Sequence, residues 1–527
     1  MSRMKSHMKP ESVPIGIDLG TRSALCSYVN ELGAVEAIRN RWGSLSTPSV
    51  VGWDGKWRVG EDAVRLALSG SEDVWWDVKR RVGTPFRVIL NGKGHAAHDL
   101  LVPLLSTLRE DAEAHLGTFV SSCVLAVPAC FSLAQREAMV RAADAAGLHE
   151  ARIVAEPTAA ALSFGREGRF LVLDFGAGTV DLSVVESDEG VWQVLESVGS
   201  DGIGGYDFDL ALADWLRERL LLAPLPSSDP RWRALVMEAE RVKVALSECL
   251  ALDWTPPPLE GRSLPSLTVR REELERLMRF PIRRLVHIVR RLWERHGPDH
   301  LLLVGGSSRI PLLREVLERE VARPERLSLC AEDAVVRGAA LYTRSGRERL
   351  LLDILSGELT ALWEGAALRV LPENVTLPVR SLVELRASRS GRSVLELRQS
   401  PNELRGEGLR LASLELDVLE GETLRLRCEV SASGRLAAEL RRGGSERVEI
   451  PLLSKPLDEG TREGAVSGAA QRLRELKLIL AALETALSEE HQDRLHALVR
   501  RAEGMPFDAG TAGLLEGLVR ELESAVS

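Results

Sequence analysis

The chain has 527 residues, about three and a half times a typical ~150-residue domain, and its 45% hydrophobic and 28% charged residues suit a globular protein with full-sized cores. Lys+Arg 68 against Asp+Glu 77 leaves a net charge of −9, which argues against a nucleic-acid binder or a protein of anionic membrane surfaces. The opening residues, MSRMKSHMKPESVP, carry no apolar run of the secretory kind, and no stretch reaches the ~18 apolar residues of a membrane span, so a cytoplasmic protein is expected.

Residues 14–30 read as an apolar strand, a turn and a second apolar run. Residues 121–165 read as strand, helix, short strand and the start of a helix at EPTAAALSFG. Residues 170–186, FLVLDFGAGTVDLSVVE, repeat the first pattern of strand, glycine turn and strand. A polar helical region over 207–250 is followed by a Pro-rich break at 254–265, an Arg-rich helix over roughly 271–296, and strand, glycine turn and helix in HLLLVGGSSRIPLLREVLERE. Strands alternating with helices at these lengths predict an α/β domain around a buried sheet. From 357 to 453 the segments become short and alternating, with Gly, Asn and Ser turns, which predicts a β-sandwich. Residues 467–504 show 3.6-residue apolar spacing and predict a helical tail. The six cysteines, Cys26, Cys123, Cys130, Cys249, Cys330 and Cys428, show no metal-ligand spacing and are expected to be mostly buried thiols. Eight of the cations are lysines and sixty are arginines, so a lysine inside a motif is the more informative.

Two of the turns share one design. In Asp18-Leu19-Gly20-Thr21 and in Asp174-Phe175-Gly176-Ala177-Gly178-Thr179 a strand ends in Asp, backbone without bulky side chains follows, and a hydroxyl closes the turn. Glycine lets main-chain N–H groups approach phosphate oxygens, and the threonine adds a donor. An Asp at the strand end can organise Mg2+ through its water shell. Gly305-Gly306-Ser307-Ser308-Arg309, between a strand and a helix, suits an adenosine moiety. Each alone is equally a tight hairpin or a strand-to-helix turn; three in one domain, in this order, favour a phosphate-binding reading.

These residues resemble the seventy-kilodalton heat-shock chaperones of the DnaK type, within the actin and sugar-kinase ATPase superfamily. The matching segments are GIDLGT, DVKRRVG, AVPACFSLAQREAM, AGLHEARIVAEPTAAALSFG, LDFGAGTVDLSVVE, GIGGYDFD, EAERVKVALSE, LLLVGGSSRIP and LLLDIL, in family order over roughly residues 14–355. The resemblance implies a multidomain protein. Residues 1–347 would be an actin-like, two-lobed α/β ATPase domain, 348–356 an interdomain linker, 357–455 a β-sandwich that binds peptide, and 456–527 a short helical lid. It implies an ATP-dependent chaperone with ATP and Mg2+ as cofactors. Unfolded clients would be its partners, with a J-domain co-chaperone and a nucleotide exchange factor as further candidates.

Residue by residue, the resemblance gives Lys79 the place of the lysine that positions the attacking water and γ-phosphate. Asp18, Glu156, Asp174 and Asp181 fall among the magnesium waters and the nucleophile, with Asp174 a candidate proton acceptor. Thr21 and Thr179 supply phosphate-facing hydroxyls, Gly20 and Gly178 belong to the phosphate turns, and Gly204 and Gly205 form a further phosphate loop. Glu240, Lys243 and Ser247, at i, i+3 and i+7 on one helix face, match the ribose and adenine contacts. Gly306 and Ser307 belong to the third turn, and Arg309 matches the guanidinium stacked on the base. Pro128 and Arg136 stand where the family relays nucleotide state. Leu351, Leu352 and Asp353 lie in an apolar segment that matches the linker and alternatively reads as a buried edge strand. Leu362, Trp363, Leu368 and Val370 fall in the cradle strands of the sandwich, where core is the alternative.

The sequence also departs from the family. Arg22 replaces a small hydroxyl residue in the first phosphate turn, a cation expected either to stabilise phosphate or to block hydrolysis. Ala177 replaces the middle glycine of the second turn, a strain of ~1 kcal/mol if φ there must be positive. Ala155 replaces an asparagine near the partner-docking region, where Arg152 is retained. Only 72 residues follow Lys455, so a reduced lid and faster peptide exchange are expected. Arg22 and Ala177 motivate a second reading, a non-hydrolysing nucleotide-binding regulator or interaction module on the same fold.

Overall fold

The computed structural model describes residues 12–450, apart from 85, 201–203, 226–228, 258–263, 326–332, 345–349, 401–408, 433 and 443–445. The helical tail expected over 456–527, with the lid boundary, lies outside the described residues. Apolar runs in the first third form β1 (Ile15–Leu19), β2 (Ser23–Val29), β3 (Val35–Ala37), β4 (Ser122–Val127) and β5 (Glu150–Ala155), with helices α1 (Ala97–Leu116), α2 (Leu133–Ala145) and α3 (Glu156–Phe164). The sheet order is β5-β4-β1-β2-β3, with β1 parallel to β4 and antiparallel to β2. Its central strands are apolar on both faces because helices cover both. The capping box at Ser132, whose N–H donates to Gln135 Oε1 at 2.9 Å, starts α2.

The second third repeats the scheme with β6 (Gly168–Phe175), β7 (Val180–Asp188), β8 (Val191–Ser200) and β9 (His300–Val304). Its helices are α4 (Gly205–Arg219), α5 (Pro230–Glu248), α6 (Arg271–His296), α7 (Pro311–Glu320) and α8 (Ala334–Arg344). Here β6 is antiparallel to β7 and parallel to β9, as β1 is to β2 and β4, so the two hairpins are structural counterparts. The edge of this second sheet is taken by β10 (Leu350–Leu352), parallel to β8. Each lobe has its own core, one built from residues 15–153 and the other from 171–317.

A third apolar cluster joins the lobes beneath their hairpins: small side chains of α3 and α8 meet there with strand residues of both sheets, Phe170 and Trp192 among them. A Cβ on Gly338 would stand 1.8 Å from the Ala159 carbonyl oxygen, and one on Gly16 would stand 2.3 Å from Ala340 N. The helices and β1 thus meet backbone to backbone at the floor between the lobes.

After the linker come β11 (Leu359–Trp363), β12 (Ala366–Leu371), β13 (Val379–Arg386), β14 (Gly391–Gln399), β15 (Leu409–Val418), β16 (Thr423–Val430), β17 (Leu436–Arg442) and β18 (Glu446–Glu449). They make two four-stranded antiparallel sheets, β12-β11-β14-β15 and β13-β16-β17-β18, whose alternating apolar faces share one core. Cys26, Cys123, Cys130 and Cys428 are buried thiols and Cys249 is half-buried; Cys330 lies outside the described residues. No helix among the described residues is long and apolar enough to cross a membrane.

Replacing Gly338 by Ala should force α3 and α8 apart and destabilise the α/β region by about 1–3 kcal/mol, read as a lower urea midpoint. An unchanged midpoint would mean that the two helices separate without cost.

Candidate functional site

The β1–β2 and β6–β7 hairpins face one another between the lobes. Asp18 ends β1 and Asp174 ends β6, paired in register with Asp181 on β7. The turns interlock: a Cβ on Gly178 would stand 2.6 Å from Thr21 Oγ1, and one on Gly20 would stand 2.5 Å from Ser23 O. Between the lobes is a cavity of about 420 Å³. Asp18, Gly20, Thr21 and Lys79 line it from the first lobe, with Glu156 at the start of α3 and Asp174 and Thr179 from the second hairpin.

Lys79 sits in a short helical turn, Val78–Arg81, and its Nζ is 2.7 Å from Glu156 Oε1 with both groups buried. Burial by itself would lower the Lys79 pKa, but Glu156 and Asp18 more than offset this, so the ammonium is held charged. Burial, then the nearby Glu156 carboxylate, pushes Asp18 up to about 7; burial and the Glu156, Asp181 and Asp18 charges push Asp174 well above the usual carboxylate range. Lys79 is one cation facing several carboxylates at one buried point, a surplus of negative charge that suits a divalent cation. Among the described residues no three His, Cys, Asp or Glu side chains stand close enough to ligate a metal directly, so a magnesium ion would fit through its waters. Asp181 does not line the cavity. It lies behind Asp174 and accepts a hydrogen bond from Cys130 N at 3.2 Å.

On the far side, α5 presents Glu240, Lys243 and Ser247 to the cavity, facing Gly306, Ser307 and Arg309 of the third glycine turn. Helical spacing alone put the α5 triplet on one face, and the core residues Ala239, Val242 and Leu246 anchor the adjoining face. Lys243 is buried, 2.7 Å from Asp209 Oδ1 and donating to Gly205 O at 2.8 Å. The Ser307 hydroxyl donates to Gly176 O at 2.9 Å. Gly178, Gly204 and Gly205 do not line the cavity but let its turns touch: a Cβ on Gly204 would stand 2.3 Å from Ala177 O, and one on Gly205 2.3 Å from Ser307 Oγ. Asp209, the last residue of the GIGGYDFD segment but given no role from sequence, supplies the counter-charge that keeps Lys243 in place.

The structure shows how both departures are accommodated. Ala177 is not among the residues of positive φ, so its Cβ carries no left-handed strain. Arg22 lines the cavity beside Gly20 and Thr21, and its side chain pairs with Glu240 across the cleft.

A second set of contacts runs from Lys79 to the sandwich. The Phe131 ring lies 5.8 Å from Lys79 Nζ. Its carbonyl accepts from Ser356 Oγ at 2.7 Å and from Arg136 Nε at 3.2 Å. Arg136, also buried, pairs with Asp353 at 2.5 Å, while Leu133 N donates to Gln399 Oε1 of β14 at 2.9 Å. Pro128 is buried at the end of β4, three residues before Phe131. Leu351 and Leu352 are half-buried in β10, and Ile354 bridges to Thr376. The segment expected as a linker thus carries an edge strand joined by hydrogen bonds to the second sheet, and its Asp353 reaches the first lobe. Phe131 falls within AVPACFSLAQREAM without its role being indicated there, and no sequence pattern marks Ser356 or Gln399, because their partners lie tens to hundreds of residues away.

In the sandwich, Trp363 and Val370 belong to the core, with Trp363 Nε1 donating to Arg386 O at 3.1 Å. Leu362 and Leu368 are half-buried. The ion pairs Arg369–Glu358, Arg398–Glu396 and Arg410–Glu396, at 2.6, 2.7 and 3.1 Å, lie on the same sheet.

Two lobes of repeated topology, a cavity between matched hairpins that bring Asp18 and Asp174 together, and a sandwich that follows the edge strand β10 define an actin-like ATPase-type domain joined to a β-sandwich. The family model described as Hsp70 protein matches residues 14–91 and 86–405. The chain belongs to the Hsp70 family. It is 32% identical over 438 residues to proteins named Chaperone protein DnaK from Thermotoga petrophila and Thermotoga maritima, covering 76% of this chain and 73% of each relative. A Chaperone protein DnaK from Thermosipho africanus is 29% identical over 432 residues, with 76% and 72% covered.

Asp18 binds its proton more tightly in the folded chain, about 7 against 3.8 unfolded, so its contribution to stability falls as pH rises from about 4 to 7 and is flat above. Asp18→Asn lacks that loss. In thermal melts without nucleotide or Mg2+, its advantage over wild type should grow from pH 4 to pH 7 and then level off; a pH-independent difference would contradict the buried-charge account.

Proposed function

We propose that this chain is an ATP-dependent chaperone of the heat-shock type, coupling ATP binding and slow hydrolysis to capture and release of extended polypeptide. The observation that carries this is the buried Lys79–Glu156 pair beside Asp18 and Asp174, tied through Phe131 and Arg136 to the linker and the sandwich. ATP would lie with its phosphates between the two hairpins, its ribose against Glu240 and Lys243, and its base near Arg309 and Ser247. Mg2+, held through water by Asp18 and Asp174 with Asp181 behind them, would offset the charge developing on the phosphates. Lys79 orients the attacking water and the γ-phosphoryl group, Thr21 and Thr179 offer hydroxyl donors, and Asp174 is the candidate proton acceptor, its raised pKa suiting that task. Phosphoryl transfer asks for positioning and charge stabilisation rather than covalent help, and this set supplies both.

The sandwich would take the client, main chain to main chain, as extended peptides join sheets. The linker strand and the Arg136–Asp353 pair would carry information between the sites, since a shift of Lys79 reaches them through one aromatic ring and one carbonyl. A J-domain partner and an exchange factor are proposed on the family pattern. The observations favour hydrolysis over a silent regulator on the same fold: Ala177 has an ordinary backbone and the Arg22 guanidinium is engaged by Glu240.

Lys79→Ala should still bind ATP and lose turnover by about 100-fold or more, read as phosphate release in single-turnover conditions; undiminished hydrolysis would remove Lys79 from its role. An extended apolar peptide should stimulate wild-type phosphate release, and ATP should weaken peptide binding, as reciprocal linkage requires of the binding terms. Asp353→Asn should reduce the stimulation much more than the basal rate; equal loss of both would show that the pair serves the catalytic site alone.

A further inference from the structure

The mouth of the cleft carries an arrangement that hydrolysis and coupling leave unexplained. Arg22, in the β1–β2 turn of the first lobe, extends across to Glu240 on α5 of the second, with Nη2 paired to Oε2 and Nε 3.4 Å from Oε1. Its guanidinium lies 5.7 Å from the Trp76 ring of the first lobe and 5.3 Å from the Tyr206 ring at the start of α4 in the second. The Arg22 side chain is 16% exposed and Glu240 35%, so the pair is partly shielded, and the rings restrict the guanidinium plane. A second, longer contact, Arg80 to Asp207 at 3.8 Å, crosses between the same lobes. The floor beneath is fixed by the close crossing of α3 and α8, so these polar bridges at the rim are what opening of the cleft must break. A serine or threonine at position 22 would be too short to reach Glu240.

We propose that Arg22 is a cross-lobe clasp: gripping Glu240 between the Trp76 and Tyr206 rings, it holds the cleft shut and slows the exit of a bound adenine nucleotide. The proposal rests on the nucleotide reading of this cavity for its kinetic consequence, but not for the clasp itself. Glu240 has two carboxylate oxygens and can hold Arg22 on one side while accepting from a ribose hydroxyl on the other. Closure and nucleotide grip are then served by one residue. Arg22 acts as a positioning residue through Glu240, and its guanidinium does no chemistry on the phosphates.

The test compares the full chain with Arg22→Thr and Arg22→Lys. Dissociation of radiolabelled ADP in the presence of Mg2+, chased with unlabelled ADP, should be about 5- to 30-fold faster in Arg22→Thr, with Arg22→Lys between because it keeps the charge and loses the fork and the planar stacking. Raising the salt concentration should speed release from wild type and leave the Thr variant nearly unchanged. Equal rates with equal salt responses overturn the proposal. In the absence of nucleotide, backbone hydrogen exchange across 205–219 and 230–248 should rise in Arg22→Thr, and unchanged exchange also overturns it. Protection that depends on Arg22 in a wild-type protein that binds no ADP would uphold the clasp and refute the nucleotide reading instead.

Discussion

The constraint on which the structure turns is the concentration of acid around Lys79. Asp18, Glu156 and Asp174, with Asp181 behind, converge on a buried point that one ammonium cannot neutralise. Carboxylates are brought there at a cost in solvation, and the fold accepts that cost at the place where two sheets end in matched turns. Both sheets exist to deliver one strand-end aspartate each, and α3 exists in part to deliver Glu156. The site is therefore least stable when empty, which gives a charged ligand leverage over the conformation of everything attached to it.

That leverage has two routes outward. One passes through Phe131, whose ring faces the ammonium and whose carbonyl gathers hydrogen bonds from Arg136 and Ser356, and so enters the linker and β14. The other runs across the top of the cleft, where Arg22 and Glu240 join elements from different cores. At the floor between them α3, α8 and β1 meet backbone to backbone at Gly338 and Gly16, a close contact with little room to slide. Motion is consequently expected as rotation about this contact, opening the rim more than the base.

Much of the fold was legible because its signals are local. Strand-end aspartates, glycine turns and the change to short alternating strands after residue 350 need only neighbouring residues to be read, and the expected strand–turn–strand units appear where the pattern put them. The α5 triplet was legible for the same reason, since helical spacing alone faces Glu240, Lys243 and Ser247 together. What escaped were contacts made across the chain: Asp209 behind Lys243, Gln399 against α2, and the pairing of Arg22 with Glu240. The backbone at Ala177 escaped too, because a glycine in relatives marks a need either for positive φ or for space, and here neither need excludes a methyl group. Leu362 and Trp363, adjacent in sequence, part company because a strand alternates its faces.

The scarcity of amines has an analytical consequence. Of the four lysines within the described residues, Lys56 and Lys93 lie on the surface, whereas Lys79 and Lys243 are enclosed on opposite walls of one cavity. Among the described residues an electrophile that acylates primary amines therefore finds two sites that it always modifies and two whose modification reports how far the lobes stand apart. Mass spectrometry of the tagged peptides reads this gauge directly, with the surface pair as internal reference and no probe engineered into the protein.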